Sequence, residues 1–293
     1  MTFKSLFDNP RAARRRAPGG AGDFRSAGGY LFTPEMELAL SAATATQRPL
    51  LVTGPAGCGK SSLARGAARR LQWRCLERTV NSRSEITALL WEVDQLRRLQ
   101  DAQAQTLNRE LLAYVRPSIL WQALDARTAA NPLMLLSPAP KVRQALDPAV
   151  VLIDEIDKAD PDLPNNLLEV LGGLRFEVAD TGCRVSCESG VPLIVITSND
   201  ERDLPPAFVR RCICLNLKQP DLAEVAALHF PKDRKTVAAA IKLLASTTPP
   251  PSAAEFLDFV QACKELQVRP DSEHWLELAE ACVLKGRTMG RSA

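Results

Sequence analysis

Gly54-Pro55-Ala56-Gly57-Cys58-Gly59-Lys60-Ser61 decides how the rest of the chain is read. It fits G-x-x-x-x-G-K-[ST], a loop whose backbone N–H groups cradle nucleotide phosphates. A Gly-rich turn ending in Lys-Ser also occurs in ordinary loops, so the flanks matter. The run Pro49-Leu50-Leu51-Val52-Thr53 before it has the composition of a buried strand, and Ser61-Ser62-Leu63-Ala64-Arg65-Gly66-Ala67 after it opens a helix. Glycines let the backbone curl so that its N–H groups converge. The new helix turns its positive end to the same place. Lys60 suits the outer phosphates and the Ser61 hydroxyl suits Mg²⁺. Gly54, Pro55, Ala56, Gly57, Cys58, Gly59, Lys60, Ser61 and Ser62 are the candidate phosphate-binding set.

Working outward, 293 residues suggest about two domains. A hydrophobic content of 46% with 24% charged residues is that of a globular protein able to bury a core. The net charge of +3 is uneven, because Lys4, Arg11, Arg14, Arg15, Arg16 and Arg25 crowd the start and leave the body close to neutral. That balance weighs against a nucleic-acid binder. Residues 1–27 are rich in Arg, Gly and Pro without apolar period and read as a disordered basic tail. Eight cysteines form no C-x-x-C pair and only two histidines are present, which argues against zinc. The sequence has neither a run of about 20 apolar residues nor an apolar signal region. The expectation is a cytoplasmic protein away from membranes, with a transit peptide as the alternative reading of the Arg-rich start.

Along the chain, helix 35–45 leads into the first strand, and 74–80 alternates as a second strand. Ile86, Leu89, Leu90, Val93, Leu96 and Leu99 recur at helical spacing, which predicts one amphipathic helix over 85–99. Residues 114–126 look helical, and 131–142 read as loop. The apolar runs 149–153 and 192–198 are buried strands. Residues 164–171 form a helix, 175–178 and 183–187 a hairpin, and 211–217 a last strand. After Pro220 only helical patterns follow, over 222–229, 234–245, 253–266 and 272–284. Ser252 with Glu255 forms a capping box for the third of these. Strands alternating with helices, then helices alone, predict an α/β fold: a parallel sheet flanked by helices over 28–219, followed by a small α-helical domain over 220–293.

Three further pieces carry chemistry. Val150-Val151-Leu152-Ile153-Asp154-Glu155 ends a strand in two carboxylates at the sheet's carboxyl edge, where ligands bind in open α/β folds. Asp154 suits the Mg²⁺ shell and Glu155 suits polarising an attacking water. Ile194-Val195-Ile196-Thr197-Ser198-Asn199 ends another strand in an amide that can orient that water. Leu204-Pro205-Pro206-Ala207-Phe208-Val209-Arg210-Arg211 brings adjacent arginines, and an arginine supplied in trans can neutralise charge in phosphoryl transfer.

With these pieces in order, the chain resembles an AAA+ ATPase of the MoxR-like group over about residues 28–245. The phosphate loop, Leu152-Ile153-Asp154-Glu155-Ile156-Asp157-Lys158-Ala159-Asp160, Ile196-Thr197-Ser198-Asn199 and 204–211 carry the resemblance. It implies a P-loop AAA+ core with a helical lid, ATP and Mg²⁺ as cofactors, and a homo-oligomeric ring, usually a hexamer, with ATP between subunits. By motif match, Lys60 and Ser61 bind phosphate and Mg²⁺, Asp154 binds Mg²⁺, Glu155 activates water and Asn199 is sensor 1. Arg211 is the arginine finger, with Arg210 second. The hairpin 175–187 resembles the pre-sensor hairpin, and 81–130 stands where the group carries an insert. One element departs from the pattern, since the place of the usual sensor 2 arginine reads Thr247-Thr248-Pro249-Pro250-Pro251-Ser252.

The function implied is ATP-driven remodelling of a client protein, with a partner bearing a von Willebrand factor A domain implied by resemblance alone. A nucleotide-gated scaffold with little hydrolysis is the alternative. A nucleic-acid motor stands third, because the hairpin offers only Arg175 and Arg184.

Overall fold

The computed structural model describes residues 29–137, 148–188, 190–245, 247–248, 250–270, 272–284 and 288–289. The basic tail and part of the expected loop over 131–142 lie outside the described residues.

The described residues form two compact units. The first holds 34–53, 67–137 and 148–215. Its centre is a sheet of β1 (Leu50–Thr53), β2 (Arg74–Thr79), β3 (Ala149–Asp154), β4 (Leu193–Thr197) and β5 (Ile213–Asn216), in the order β2-β3-β4-β1-β5. β2 runs parallel to β3, β3 to β4 and β4 to β1. The apolar runs become the central strands because both sheet faces are covered. Every residue of β4 is buried, as are the first five of β3. β2 lies at an edge and is largely exposed. The register sets Val52 beside Thr197, Ile153 beside Ile196 and Thr79 beside Asp154, so the carboxyl ends of these strands share one edge.

Helix α1 (Pro34–Thr46) precedes β1, and α2 (Lys60–Leu71) follows the loop. Helix α3 (Leu163–Gly173) buries Leu163, Leu167, Leu168, Val170 and Leu171 and stops where Leu174 takes a left-handed conformation. The hairpin Arg175–Val178 with Cys183–Ser186 turns through Gly182 at φ +65. Phe176 on it meets Trp121 edge-on at 5.8 Å, and the buried Trp121 indole N–H donates to Thr128 Oγ1 at 2.9 Å. Each such buried side chain contributes roughly 1.5–3 kcal/mol by leaving water.

The predicted helix 85–99 is instead three pieces: a helix Ile86–Leu90, a strand Trp91–Val93 and a helix Gln95–Gln103. The strand pairs antiparallel with Val115–Pro117, Trp91 opposite Pro117 and Val93 opposite Val115. Asp94 then caps the second helix by accepting the Arg97 N–H. A partner distant in sequence thus overrides the local period, and Leu96 and Leu99 are exposed rather than in a core. The same pairing replaces the start of the predicted helix 114–126, leaving helices Ile119–Leu124 and Ala126–Ala130.

The second unit holds 29–33, 54–66 and the described residues from 216 on. Its helices are α5 (Leu222–His229), α6 (Arg234–Leu244), α7 (Ala253–Glu265) and α8 (Glu273–Ala279), the last continued by a π turn Glu280–Leu284; α4 is the short Pro206–Val209 of the first unit. Phe230, Phe256, Phe259, Val260, Trp275 and Val283 form their common core, with Phe259 and Trp275 edge-on at 4.9 Å. The capping box is as expected: Ser252 Oγ accepts the Glu255 N–H, and Glu255 Oε2 accepts the Ser252 N–H.

Candidate active site

The phosphate loop is built by close approaches that only glycine permits. Gly54 has φ +136, and a Cβ there would lie 2.2 Å from the Leu217 carbonyl oxygen. Gly57 has φ +74, and a Cβ would lie 2.4 Å from the Ser252 Cβ. Helix α2 starts on the loop itself, with the Leu63 N–H donating to the Gly59 carbonyl at 2.9 Å. The Lys60 ammonium is buried and donates to the carbonyls of Gly54 at 2.7 Å and Pro55 at 2.9 Å. It therefore sits inside the curl of the loop. Pro55, Ala56 and Gly57 are exposed at its tip, where Gln219 Nε2 donates to the Ala56 carbonyl at 3.4 Å. Cys58 is buried, and burial pushes its thiol up despite the Lys60 ammonium nearby, so it is a poor nucleophile at neutral pH.

An aromatic pair completes the loop. Tyr30 and Phe32 stand edge-on at 5.0 Å, with Tyr30 against Gly59 and both rings against Gly66. Burial, and then the neighbouring Cys58, push the Tyr30 phenol up. A Cβ on Gly66 would lie 2.9 Å from the Tyr30 Cβ, so a glycine in mid-helix makes room for the pair.

The acidic edge belongs to the first unit. Asp154 ends β3 and Thr197 ends β4. The Thr197 hydroxyl donates to Asp154 Oδ1 and accepts the Glu155 N–H at 3.0 Å. Glu155 has a left-handed backbone, φ 62 and ψ 47, a conformation that costs a residue with a Cβ about 1–2 kcal/mol. Its half-buried carboxylate pairs with Lys158 at 3.2 Å, and this partner holds the Lys158 ammonium above its ordinary value. Two residues on, Asp157 is buried, and its Oδ2 accepts the N–H groups of Asn199 and Glu201, each at 3.1 Å. That carboxylate ties the turn after β4 to the turn after β3. The structure thus brings Asp154, Glu155 and Asn199 together at one edge, as the strand-end pattern leads one to expect.

Arg210 and Arg211 follow α4, whose Phe208 is fully buried. Arg210 and Arg211 are both exposed, and among the described residues neither guanidinium is ion-paired. The place expected for a sensor 2 arginine holds Ser252, the cap of α7, against Gly57.

The donor sets suit distinct partners. A glycine-bearing loop with a buried lysine and a helix start suits phosphate. A carboxylate beside hydroxyl oxygens suits a hard cation such as Mg²⁺. Among the described residues, no group of three or more His, Cys, Asp or Glu side chains is arranged to hold a metal. Thr197, Asp157 and Tyr30 were not singled out from sequence. Thr197 and Asp157 stand inside quoted motifs, and their partners lie 43 and 42 residues away.

Among the described residues, no helix is long and apolar enough to cross a membrane. No curated protein matches the chain. Among solved structures it is similar to NtrX from Brucella abortus in complex with ADP, at 14% identity and TM-score 0.50, over 88% of this chain and 56% of that one. It is also similar to a point mutant of RuvB from Thermotoga maritima, at 15% identity and TM-score 0.46, over 84% of this chain and 68% of that one. The NtrX likeness agrees with the fold, a five-stranded parallel sheet flanked by helices. Residues 49–212, from the start of β1 to the arginine pair, match the AAA domain of the dynein-related subfamily, and the chain belongs to that family.

Proposed function

We propose that the chain is a MoxR-like AAA+ ATPase that hydrolyses ATP between subunits of a ring and uses the cycle to remodel a client protein. The observation that carries it is the Thr197 hydroxyl holding Asp154 and the Glu155 backbone together at the edge where Asn199 emerges. In this reading residues 28–219 form the ATPase core and 220–293 the lid. The loop N–H groups and Lys60 bind the phosphates, and Lys60 exchanges the carbonyls of Gly54 and Pro55 for phosphate oxygens. Ser61 and Asp154 would hold Mg²⁺, which would offset charge on the phosphates. Glu155 accepts a proton from the attacking water and Asn199 orients that water. Arg211, or second to it Arg210, reaches a neighbouring subunit's ATP. A client or co-factor protein, with a von Willebrand factor A domain as the candidate, completes the assembly; the near-neutral body weighs against nucleic acid as the partner.

A second reading, a nucleotide-gated scaffold that scarcely hydrolyses, is favoured by Ser252 where a sensor 2 arginine is expected and by Lys158 pairing with Glu155. That pair is half-exposed and screened by water, so it restrains Glu155 only weakly. A weak restraint leaves the Glu155 carboxylate able to act, and hydrolysis remains the leading reading.

The test measures ATP turnover together with solution mass, with and without Mg-ATP, for wild type and Arg211→Ala. Assembly driven by ATP, with turnover lost in the variant, supports the ring ATPase. A monomer that binds ATP without turnover replaces it with the scaffold.

A further inference from the structure

Arg48 lies between α1 and β1, outside every motif quoted above. Its guanidinium nonetheless gathers three consecutive main-chain carbonyls from the segment that carries the arginine pair. Nε donates to the Arg211 carbonyl at 3.0 Å, and Nη2 donates to the carbonyls of Arg210 and, at 3.1 Å, Cys212. We propose that Arg48 is the positioning residue of the arginine finger: it fixes the 210–212 backbone so that the Arg211 side chain is presented outward. This rests on the reading of Arg211 as a finger acting in trans.

Both ends of this clamp are anchored. Helix α1 stops at Gln47, whose φ of 55 is left-handed, and the Arg48 N–H returns to the Ala43 carbonyl at 3.1 Å. The next residue, Pro49, is buried, and its carbonyl accepts the Ile213 N–H at 2.8 Å. The base of the Arg48 side chain is thus tied to the start of β5. On the other side, the Arg210, Arg211 and Cys212 N–H groups bond back to Pro206, Phe208 and Val209 at 3.0–3.1 Å, and Cys212 Sγ donates to the Phe208 carbonyl at 3.3 Å. That turn leaves its last carbonyls without helical partners, the usual condition at a helix end. A planar guanidinium can serve several at once, whereas a lysine ammonium is a single point. Arg48 holds main-chain carbonyls only, so the exposed side chain of Arg211 takes no part in the clamp.

Arg48 is itself exposed, so water can replace it at the carbonyls. Arg48→Ala therefore folds, and the loss falls on geometry. A misplacement of about 1 Å in a catalytic group can cost about 10²-fold in rate. The expected result for Arg48→Ala is a kcat lower by about tenfold or more, with KM for ATP within about twofold of wild type. Arg48→Lys recovers only a minor part. Arg48→Ala/Arg211→Ala is no slower than Arg211→Ala alone.

Mixing separates positioning from a local defect. A Lys60→Ala protomer has an intact finger and no phosphate lysine. Mixed with Arg48→Ala, it supplies the missing finger in trans, and turnover rises severalfold above the sum of the two separate preparations. Mixing Arg48→Ala with Arg211→Ala gives no rise. Additive losses in the double variant, or no rise with Lys60→Ala while Arg211→Ala is rescued by it, would overturn the role of Arg48 and leave the finger standing. If Arg211→Ala turns over like wild type, or is not rescued by Lys60→Ala, the finger reading fails first.

Discussion

The Thr197 hydroxyl donates to Asp154 Oδ1 at 2.5 Å across two adjacent parallel strands. The same oxygen accepts the Glu155 N–H, so one buried side chain holds the metal candidate and the base candidate in a fixed relation. Thr197→Val keeps the shape and removes the hydrogen bonds. Removing one partner from a buried polar group costs about 1–3 kcal/mol. Urea unfolding should show a loss of that size, and ATP turnover should fall at least about tenfold. Thr197→Ser should restore both; wild-type turnover in the valine variant would remove Thr197 from the site.

Lys60→Ala and Glu155→Gln separate binding from chemistry. The first takes away the buried ammonium inside the phosphate loop and should abolish ATP binding in calorimetry. The second keeps binding and removes the proton acceptor, a change worth about 10²–10⁴-fold for a general base. Wild-type ATP affinity in the lysine variant would refute the loop assignment, and unimpaired hydrolysis in the glutamine variant would refute Glu155.

Two glycines make a matched pair. Gly57→Ala combines φ +74 with a Cβ 2.4 Å from the Ser252 Cβ. The backbone cost is about 1–2 kcal/mol and the crowding roughly 1–3 kcal/mol more. Lower thermal stability and weaker ATP binding should follow together. Gly172 lies near the end of α3 with nothing within 4 Å of a Cβ, so Gly172→Ala should stabilise by about 0.5–1 kcal/mol. If both variants melt alike, the close approach at Gly57 is not what selects glycine there.

Burial pushes the Cys212 thiol up to about 12 and the Cys263 thiol up to about 11, from an ordinary 9.0. The folded chain therefore keeps protons that the unfolded chain releases above a pH of about 9. Stability from these groups is complete below that pH and is lost as pH rises toward the raised values. Denaturant midpoints at about pH 8 and about pH 10.5 should differ, and the difference should shrink in Cys212→Ala/Cys263→Ala. An equal pH dependence in that variant would assign the loss to other groups.

Much of this is legible in the sequence alone. Ala149–Asp154 and Leu193–Thr197 can be found because a strand covered on both faces must be apolar throughout. The phosphate loop is legible because its glycines answer a local backbone need. Ser252 and Glu255 form a box whose two ends are only three residues apart. What escapes is set by distance along the chain. Trp91-Glu92-Val93 leaves the helical pattern to pair with Val115–Pro117. The clamp from Arg48 to the Arg211 carbonyl spans 163 residues, and the tie between Asp157 and the Asn199 N–H spans 42. Periodicity has no access to such contacts.

Glu155 is the clearest case of chemistry overruling comfort. Its left-handed backbone would sit more easily under glycine or asparagine. A library randomised at position 155 and sorted only for heat tolerance should therefore drift toward those residues and shed the carboxylate. Sorted for turnover it should return to glutamate. Consensus stabilisation of this chain, applied blindly at that codon, would improve the protein as a solid and ruin it as a machine.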